Sequence, residues 1–360
     1  MSDTRSRIDR EKLQDYLHNV FGTLGGAMTS AMIYLGDRMR LFEAMAGGGP
    51  LSSEELAQRT GLSERWLREW LHAMGAADIL EYAGDGRFWL TPEGEAVLVD
   101  ERHPANGAGF FSQLPGQMAI AERLPEAFKS GVGLNYDELG ADGAVGIERG
   151  LAPFFRTMMV PALLPRVDGL VERLEAGAQV ADVGCGGGVA LIEMARAYPK
   201  SQYHGFDISR HALERAAANL RQAGIDNVTF HDASVDPLPS DARFDVVTTF
   251  DCLHDMTDPA RVMRQIRAAI RPDGIWLVAD IKAGATYEEN VERNPMASLM
   301  YATSVLVCMS SGLSEADGLG LGTLGLHPDL ARKMAGEAGF PSFETVDLDH
   351  PANAFYVVRP

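Results

Sequence analysis

The run VADVGCGGG, Val180 to Gly188, is an apolar strand that ends in a cluster of glycines and leads straight into a helical pattern, VALIEMARAYP. That strand–loop–helix unit restricts the fold, because its next strand packs most compactly as a parallel neighbour. The alternation then repeats. QYHGFDIS, VTFHDAS, FDVVTTFDCL and GIWLVADI read as strands, with RHALERAAANLRQAG and PARVMRQIRAAI as amphipathic helices among them. At the end of the chain, SFETVDL and NAFYVVRP lie close enough to pair antiparallel and form an edge. Seven strands in this order predict an α/β fold with a doubly wound, mostly parallel, Rossmann-like sheet over residues 175–360.

In such a sheet the ligand sits beyond the carboxyl ends of the strands, where the strand order reverses. The first loop reads D-x-G-x-G-x-G, with Asp182, Gly184, Gly186 and Gly188. Glycines at these steps permit tight turning and let a ligand approach bare backbone. A dinucleotide loop would be G-x-G-x-x-G, and its last position falls on Val189. The mismatch speaks against a nicotinamide or flavin nucleotide, and the leading aspartate suits a positively charged group better than a pyrophosphate. Asp207 ends the second strand, where a carboxylate can accept both hydroxyls of a ribose. Asp232 ends the third, placed to accept from an adenine amine, and Phe250 ends the fourth, towards the other end of the ligand. Each acid alone would pass for a solvated loop residue; together, at successive strand ends, they describe a nucleoside site.

Residues 1–105 read as a separate helical domain with a small hairpin. TSAMIYLGDRMRLFEAMA carries a helical stripe through Met32, Leu35, Met39, Leu41, Phe42 and Met45, and GGGP stops it. Ser52 and Glu55 have the spacing of a capping box. Ser63 is expected to cap the next helix, on which Trp66, Leu67, Trp70 and Leu71 recur at helical spacing. DILEYAGDGRFWLT then predicts two strands joined at Asp85-Gly86, the wing of a winged helix, before TPEGEAVL resumes a helix. Charge argues against DNA reading. Residues 1–100 hold 10 Lys/Arg against 16 Asp/Glu, and Glu64 and Glu69 offset Arg65 and Arg68 on the candidate recognition helix. A packing and dimerisation module fits better, and nucleic acid is not an expected partner.

Residues 106–174 form a stretch of helices broken by Gly and Pro and rich in Phe and Met. Such residues serve a core, and Phe111, Phe155 and Met159, with Met300 further on, are also candidates to line an apolar acceptor pocket. The net charge of -18 disfavours a polyanionic partner. No apolar run is long enough to cross a bilayer, and the opening MSDTRSRIDREKLQDY does not resemble a signal peptide. Three scattered cysteines, Cys185, Cys252 and Cys308, suggest neither a disulfide framework nor a metal site, and point to a reducing cytoplasm.

The order VADVGCGGG, GFDIS, HDAS, FDVVTTFDCLHDMTDP and IRPDGIWLVADI resembles the class I S-adenosylmethionine-dependent methyltransferases. With the winged helix in front, the chain is similar to bacterial small-molecule methyltransferases related to the O-methyltransferases. The resemblance implies S-adenosylmethionine as cofactor, with S-adenosylhomocysteine as product. It places Asp182, Gly184 and Gly186 at the methionine part, Asp207 and Ile208 at the ribose, Asp232 and Ala233 at the adenine, and Phe250 beside them. It also implies a homodimer formed through the N-terminal domain, and a small, hydrophobic or aromatic acceptor methylated on oxygen. A phenol titrates near pH 10, so a base would help at neutral pH. His254 in LHDMTDP matches the family's basic histidine, with Met256 where a tryptophan is usual, and Asp280 matches the acid that orients it. The other reading of His254 is a cap on the following helix. A second family acid has no counterpart in DGLGLGTLGLHP, which suggests a mobile lid there, with His327 as an alternative acceptor-site residue. Cys308 is expected to be an inert buried thiol. Two alternatives stand beside methyl transfer: a transcriptional regulator that senses the cofactor, and an S-adenosylmethionine enzyme of other chemistry.

Overall fold

The computed structural model describes residues 8–360; the polar run 1–7 lies outside them. The chain forms two compact units, Met1–Leu114 and Pro115–Pro360. Of the stretch 106–174, residues 106–114 fall in the first unit and 115–174 in the second. The reason is packing: Ala152, Phe155, Met159 and Leu163 of that stretch share one core with the strands.

In the first unit a helix runs over Arg10–Arg38, starting well before the stripe that marks it in the sequence, with Asp9 accepting from the Glu11 and Lys12 amides. Arg40 then adopts a left-handed conformation, φ 57°, and lets Leu41–Met45 turn its apolar face inward. Leu41, Phe42 and Met45 pack there with Leu56, Leu67, Trp70 and Met74. The Ser52–Glu55 capping box is present in both halves, the Ser52 amide donating to Glu55 at 2.8 Å. Ser63 occupies the N-cap of Glu64–Ala76, but its hydroxyl makes no capping bond, contrary to expectation. Strands β1 (Glu81–Gly84) and β2 (Arg87–Trp89) form the wing, with Asp85 and Gly86 both at positive φ, as a tight hairpin with right-twisted strands requires. Arg87 clamps the wing to Glu55 at 2.8 and 2.9 Å.

The second unit is built on β3 (Gln179–Val183), β4 (Gln202–Asp207), β5 (Val228–Asp232), β6 (Phe244–Phe250), β7 (Ile270–Ile281), β8 (Ser342–Val346) and β9 (Asn353–Arg359). They form one seven-stranded sheet in the order β5-β4-β3-β6-β7-β9-β8. Only the pairings of β9 are antiparallel, and β9 lies between β7 and β8, so β8 alone makes that edge. Alternate residues serve opposite faces, as the period of two demands. Val180, Val246, Leu277 and Val357 pack on one side with helix Val189–Ala197, while Ala181, Val247, Trp276 and Tyr356 pack on the other with helices Pro259–Ala269 and Pro328–Glu337. The order reverses between β3 and β6, which opens a crevice at their carboxyl ends.

Two segments, Phe155–Leu163 and Ser304–Cys308, wind as π-helix. Pro161 removes a donor from the first, and Pro153 removes one from the helix Gly140–Phe154 that leads into it, which favours the wider turn. The glycine-rich stretch expected to form a mobile lid is packed. Leu319 N–H donates to the Thr257 carbonyl at 2.9 Å, Thr323 N–H to Ser304 Oγ at 3.1 Å, and Thr323, Leu324 and Leu326 are buried. Its glycines allow close approach: a Cβ on Gly318 would collide with the Gly312 carbonyl. His327 stands at the N-cap of Pro328–Glu337 without a capping bond. No helix among the described residues is long and apolar enough to cross a membrane.

Candidate active site

The glycine loop follows β3 with Gly184, Gly186 and Gly188 all at positive φ. Asp207, at the end of β4, organises it. One carboxylate oxygen accepts the Gly186 amide at 2.8 Å and the other accepts the Ser209 amide at 2.8 Å. Burial raises Asp207 above the ordinary carboxylate range, although these backbone donors oppose it. Ile208 beside it is exposed. At the end of β5, Oδ1 of Asp232 accepts from both the amide and the hydroxyl of Ser234, which holds Asp232 below its usual range. The Ala233 amide donates to the Asp207 carbonyl at 2.8 Å, which aligns the β4 and β5 ends. Cys185 fills the narrow space under Gly205, where a Cβ would come within 2.8 Å of its sulfur, so a small side chain suffices there.

Asp182 is buried at the end of β3 and accepts from Thr248 of β6 at 2.7 Å. Burial raises it to about 7, with the Thr248 bond opposing and Asp207 adding to the rise. After β6 the chain turns through Asp251, at φ 50°, into a single 3₁₀ turn, Leu253–Asp255. This turn buries His254 and Asp255. His254 Nδ1 lies 2.6 Å from Oδ1 of Asp280, at the end of β7, with the two side chains 4% and 1% exposed. Burial disfavours the imidazolium, but the Asp280 carboxylate outweighs it and holds His254 well above its ordinary range. The helix after this turn is capped by Asp258, which accepts the Arg261 amide at 2.8 Å, so His254 has no capping role.

Several residues here carry no signal in the sequence pattern. Asp251 and Asp255 are each pushed up to about 7 by burial, Asp280 adding to the first and His254 opposing in the second. Asn353 of β9 donates to Asp251, and Tyr136 is half-buried, packed against the cluster of Ile120, Leu139 and Cys308. Tyr136 belongs to a 3₁₀ turn, Tyr136–Leu139, whose Asp137 accepts from the Ser209 hydroxyl at 2.5 Å and so anchors the turn beside Asp207. Glu148, buried on helix Gly140–Phe154, binds Arg215 at 2.5 and 3.0 Å and Asn219 at 2.8 Å, and Asn219 also donates to the Gly187 carbonyl. Cys308, expected to be inert, places its sulfur within 4.8 Å of a ring nitrogen of His254. Only distance in the chain hid these partners.

The apolar acceptor candidates are dispersed. Phe250 is buried with its ring 5.3 Å from that of Phe155. Met159 is wholly inside the core, because the π-helical segment turns it under helix Val189–Ala197. Met300 is partly exposed, its sulfur accepting from Asn294 at 3.1 Å. Phe111 packs against the core of the first unit.

Two family models match the chain: a methyltransferase domain over residues 174–317 and an Rv2258c-like winged HTH domain over residues 27–100. A ubiquinone biosynthesis O-methyltransferase of Albidiferax ferrireducens is 38% identical over 104 residues, 28% of this chain and 40% of that protein. The chain spans less than half the length of the curated relatives it matches first. Among solved structures, a protein of Nostoc punctiforme PCC 73102 assigned as an O-methyltransferase superposes with a TM-score of 0.72 at 19% identity, over 95% of this chain and 98% of that one. Human N-acetylserotonin methyltransferase in complex with S-adenosylmethionine gives 0.68 at 17% identity, over 100% and 99%. At such identities the superpositions speak for the fold, and the domain matches name its two parts. The glycine loop and the strand-end carboxylates thus lie within the matched methyltransferase domain, and the wing lies within the matched winged HTH domain.

Proposed function

We propose that the protein transfers the methyl group of S-adenosylmethionine to an oxygen of a small hydrophobic or aromatic acceptor, with His254 as general base. The observation that carries this reading is the buried His254–Asp280 pair at the carboxyl edge of the sheet, set among aspartates of neighbouring strand ends. S-adenosylmethionine supplies, when bound, a methyl group on a positively charged sulfur, already activated for displacement. The residues present fit that ligand. A Cβ on Gly186 would meet nothing within 4 Å, so the loop leaves open space for the methionine part. Asp182 and Asp251, each raised to about 7, are carboxylates that a cationic ligand would stabilise in their charged form.

Asp207 spends one lone pair of each oxygen on the loop and keeps the others for the ribose hydroxyls. Asp232 leaves Oδ2 for the adenine amine. Asp280 holds the Nδ1 proton of His254, so the Nε2 lone pair is available to an acceptor hydroxyl, and the same carboxylate stabilises the imidazolium once the proton has moved. Positioning and exclusion of water supply the rest. The relative named for O-methylation in ubiquinone biosynthesis supports oxygen as the acceptor atom. Calorimetry with S-adenosylmethionine and with NAD tests the cofactor, the former alone giving heat. Incubation with a phenol panel then tests transfer. Failure of S-adenosylhomocysteine to form with any acceptor would reject it.

The working form is a homodimer joined through the first unit. Leu13, Leu17, Val20, Leu24 and Met28 follow one another at helical spacing on Arg10–Arg38 and are each 42–59% exposed. An apolar stripe of this length on one side of a helix is stable in water only when covered. A second copy covers it by symmetry with the same stripe. On the candidate recognition helix, Arg65 is paired with Glu69 at 2.6 Å and Arg68 with Glu64 at 2.7 Å, which supports packing over DNA binding. The free, buried cysteines agree with a reducing cytoplasm.

A further inference from the structure

Three donor atoms from two segments remote in the sequence converge beside the His254–Asp280 pair. His254 and Asp255 share the turn Leu253–Asp255, and Cys308 ends the π-helical segment Ser304–Cys308. A ring nitrogen of His254, a carboxylate oxygen of Asp255 and Sγ of Cys308 all lie within 4.8 Å of one another, and all three residues are buried. Because Nδ1 is engaged by Asp280, the nitrogen left to coordinate is Nε2. A histidine that hands its other nitrogen to a carboxylate is the common arrangement around bound zinc. Oδ2 of Asp280 is itself buried without a hydrogen-bond partner, so the pocket holds more negative capacity than the protein satisfies.

We infer that His254, Asp255 and Cys308 form a binding site for a thiophilic divalent cation of the zinc class. Thiolate, imidazole and carboxylate together select zinc over magnesium or calcium, which favour oxygen alone. In a tetrahedral zinc site the donors stand about 3.3–3.6 Å apart, so about an ångström of side-chain rotation closes the set. The fourth position stays open to water. On binding, the Cys308 thiol, the Nε2–H of the His254 imidazolium and any protonated Asp255 carboxyl release their protons to solvent, and no electron is transferred. The ion occupies the nitrogen that the proposed methyl transfer uses as its base. It therefore acts as an inhibitor, a consequence that rests on that functional reading, whereas binding itself does not.

The test is titration of the chelator-stripped full-length protein with Co2+, a spectroscopic stand-in for Zn2+. The expected result is one equivalent bound with a sulfur-to-cobalt charge-transfer band, displaced by Zn2+. Cys308→Ser loses the band, while Cys185→Ser and Cys252→Ser keep it. Asp255→Asn weakens binding at least tenfold. Circular dichroism melting of each variant identifies any that fail to fold, and these are replaced by Cys308→Ala or Asp255→Ala. Absence of the band in the wild type, or its persistence in folded Cys308 variants, overturns the assignment. These readouts need no turnover, so they fail independently of the methyl-transfer reading. A wild-type protein that binds Co2+ yet methylates unimpeded by stoichiometric Zn2+ rejects the inhibitory consequence.

Discussion

A single proton position decides what His254 can do. Asp280 outweighs burial and holds the imidazole protonated above its usual range, so the acidic limb of the rate profile should lie above pH 6.5. Asp280→Asn should move that limb downward and reduce kcat, a shift read from pH profiles of both proteins. His254→Ala should lower kcat/KM by about 10²–10⁴, the usual worth of a general base. Cofactor affinity by calorimetry should stay within about twofold, since the cofactor contacts assigned to Asp207 and Asp232 are untouched. Asp182 makes a separate prediction. Its folded value, about 7, lies above the unfolded one, so the ligand-free protein is stabilised by its protonation below about pH 4, and that contribution is lost as pH rises through 7. Cofactor affinity should change the other way, rising by up to about tenfold per pH unit below 7, with proton release at pH 7 seen as a buffer-dependent heat. Asp280, Asp182 and Asp207 stood out in the sequence because each lies at the end of a strand of a recognisable alternation, and His254 because the short segment after the fourth strand resembles the family pattern. Asp251, Asp255, Tyr136 and Cys308 were not, because no spacing relates residues that only side-chain packing brings together.

At the scale of elements, the glycine loop owes its placement to helices on either side. Glu148 on Gly140–Phe154 is bound by Arg215 and Asn219 on Arg210–Ala223, and Asn219 reaches the loop at Gly187. Glu148→Ala should cost about 2 kcal/mol, less than a fully buried ion pair because Arg215 is partly exposed. It should also weaken cofactor binding; thermal melting and calorimetry check the two effects separately. Ser52→Ala removes one half of the capping box in the first unit and should cost about 1 kcal/mol in urea unfolding. The capping box, the Asp85-Gly86 turn and the strand ends were all readable, since each depends on neighbours a few residues apart. The free hydroxyl of Ser63, the π-helical segments and the packed glycine stretch were not, because contacts from elsewhere in the chain decide them.

For the whole molecule, the apolar stripe on Arg10–Arg38 predicts a dimer in light scattering, and Leu17→Glu with Val20→Glu should yield monomers that keep the melting behaviour of their folded units. The sequence by itself determined the class of fold, the division into a winged-helix part and a nucleoside-binding sheet, and the acids at the strand ends. These follow from periodicity, turn chemistry and strand order, which are properties of short stretches. Only the tertiary structure decided that residues 115–174 belong to the second unit, that β9 lies inside the sheet, and that Met159 is core. It alone set Cys308 and Asp255 against His254, because a buried site is assembled from segments whose meeting is governed by packing and leaves no local trace.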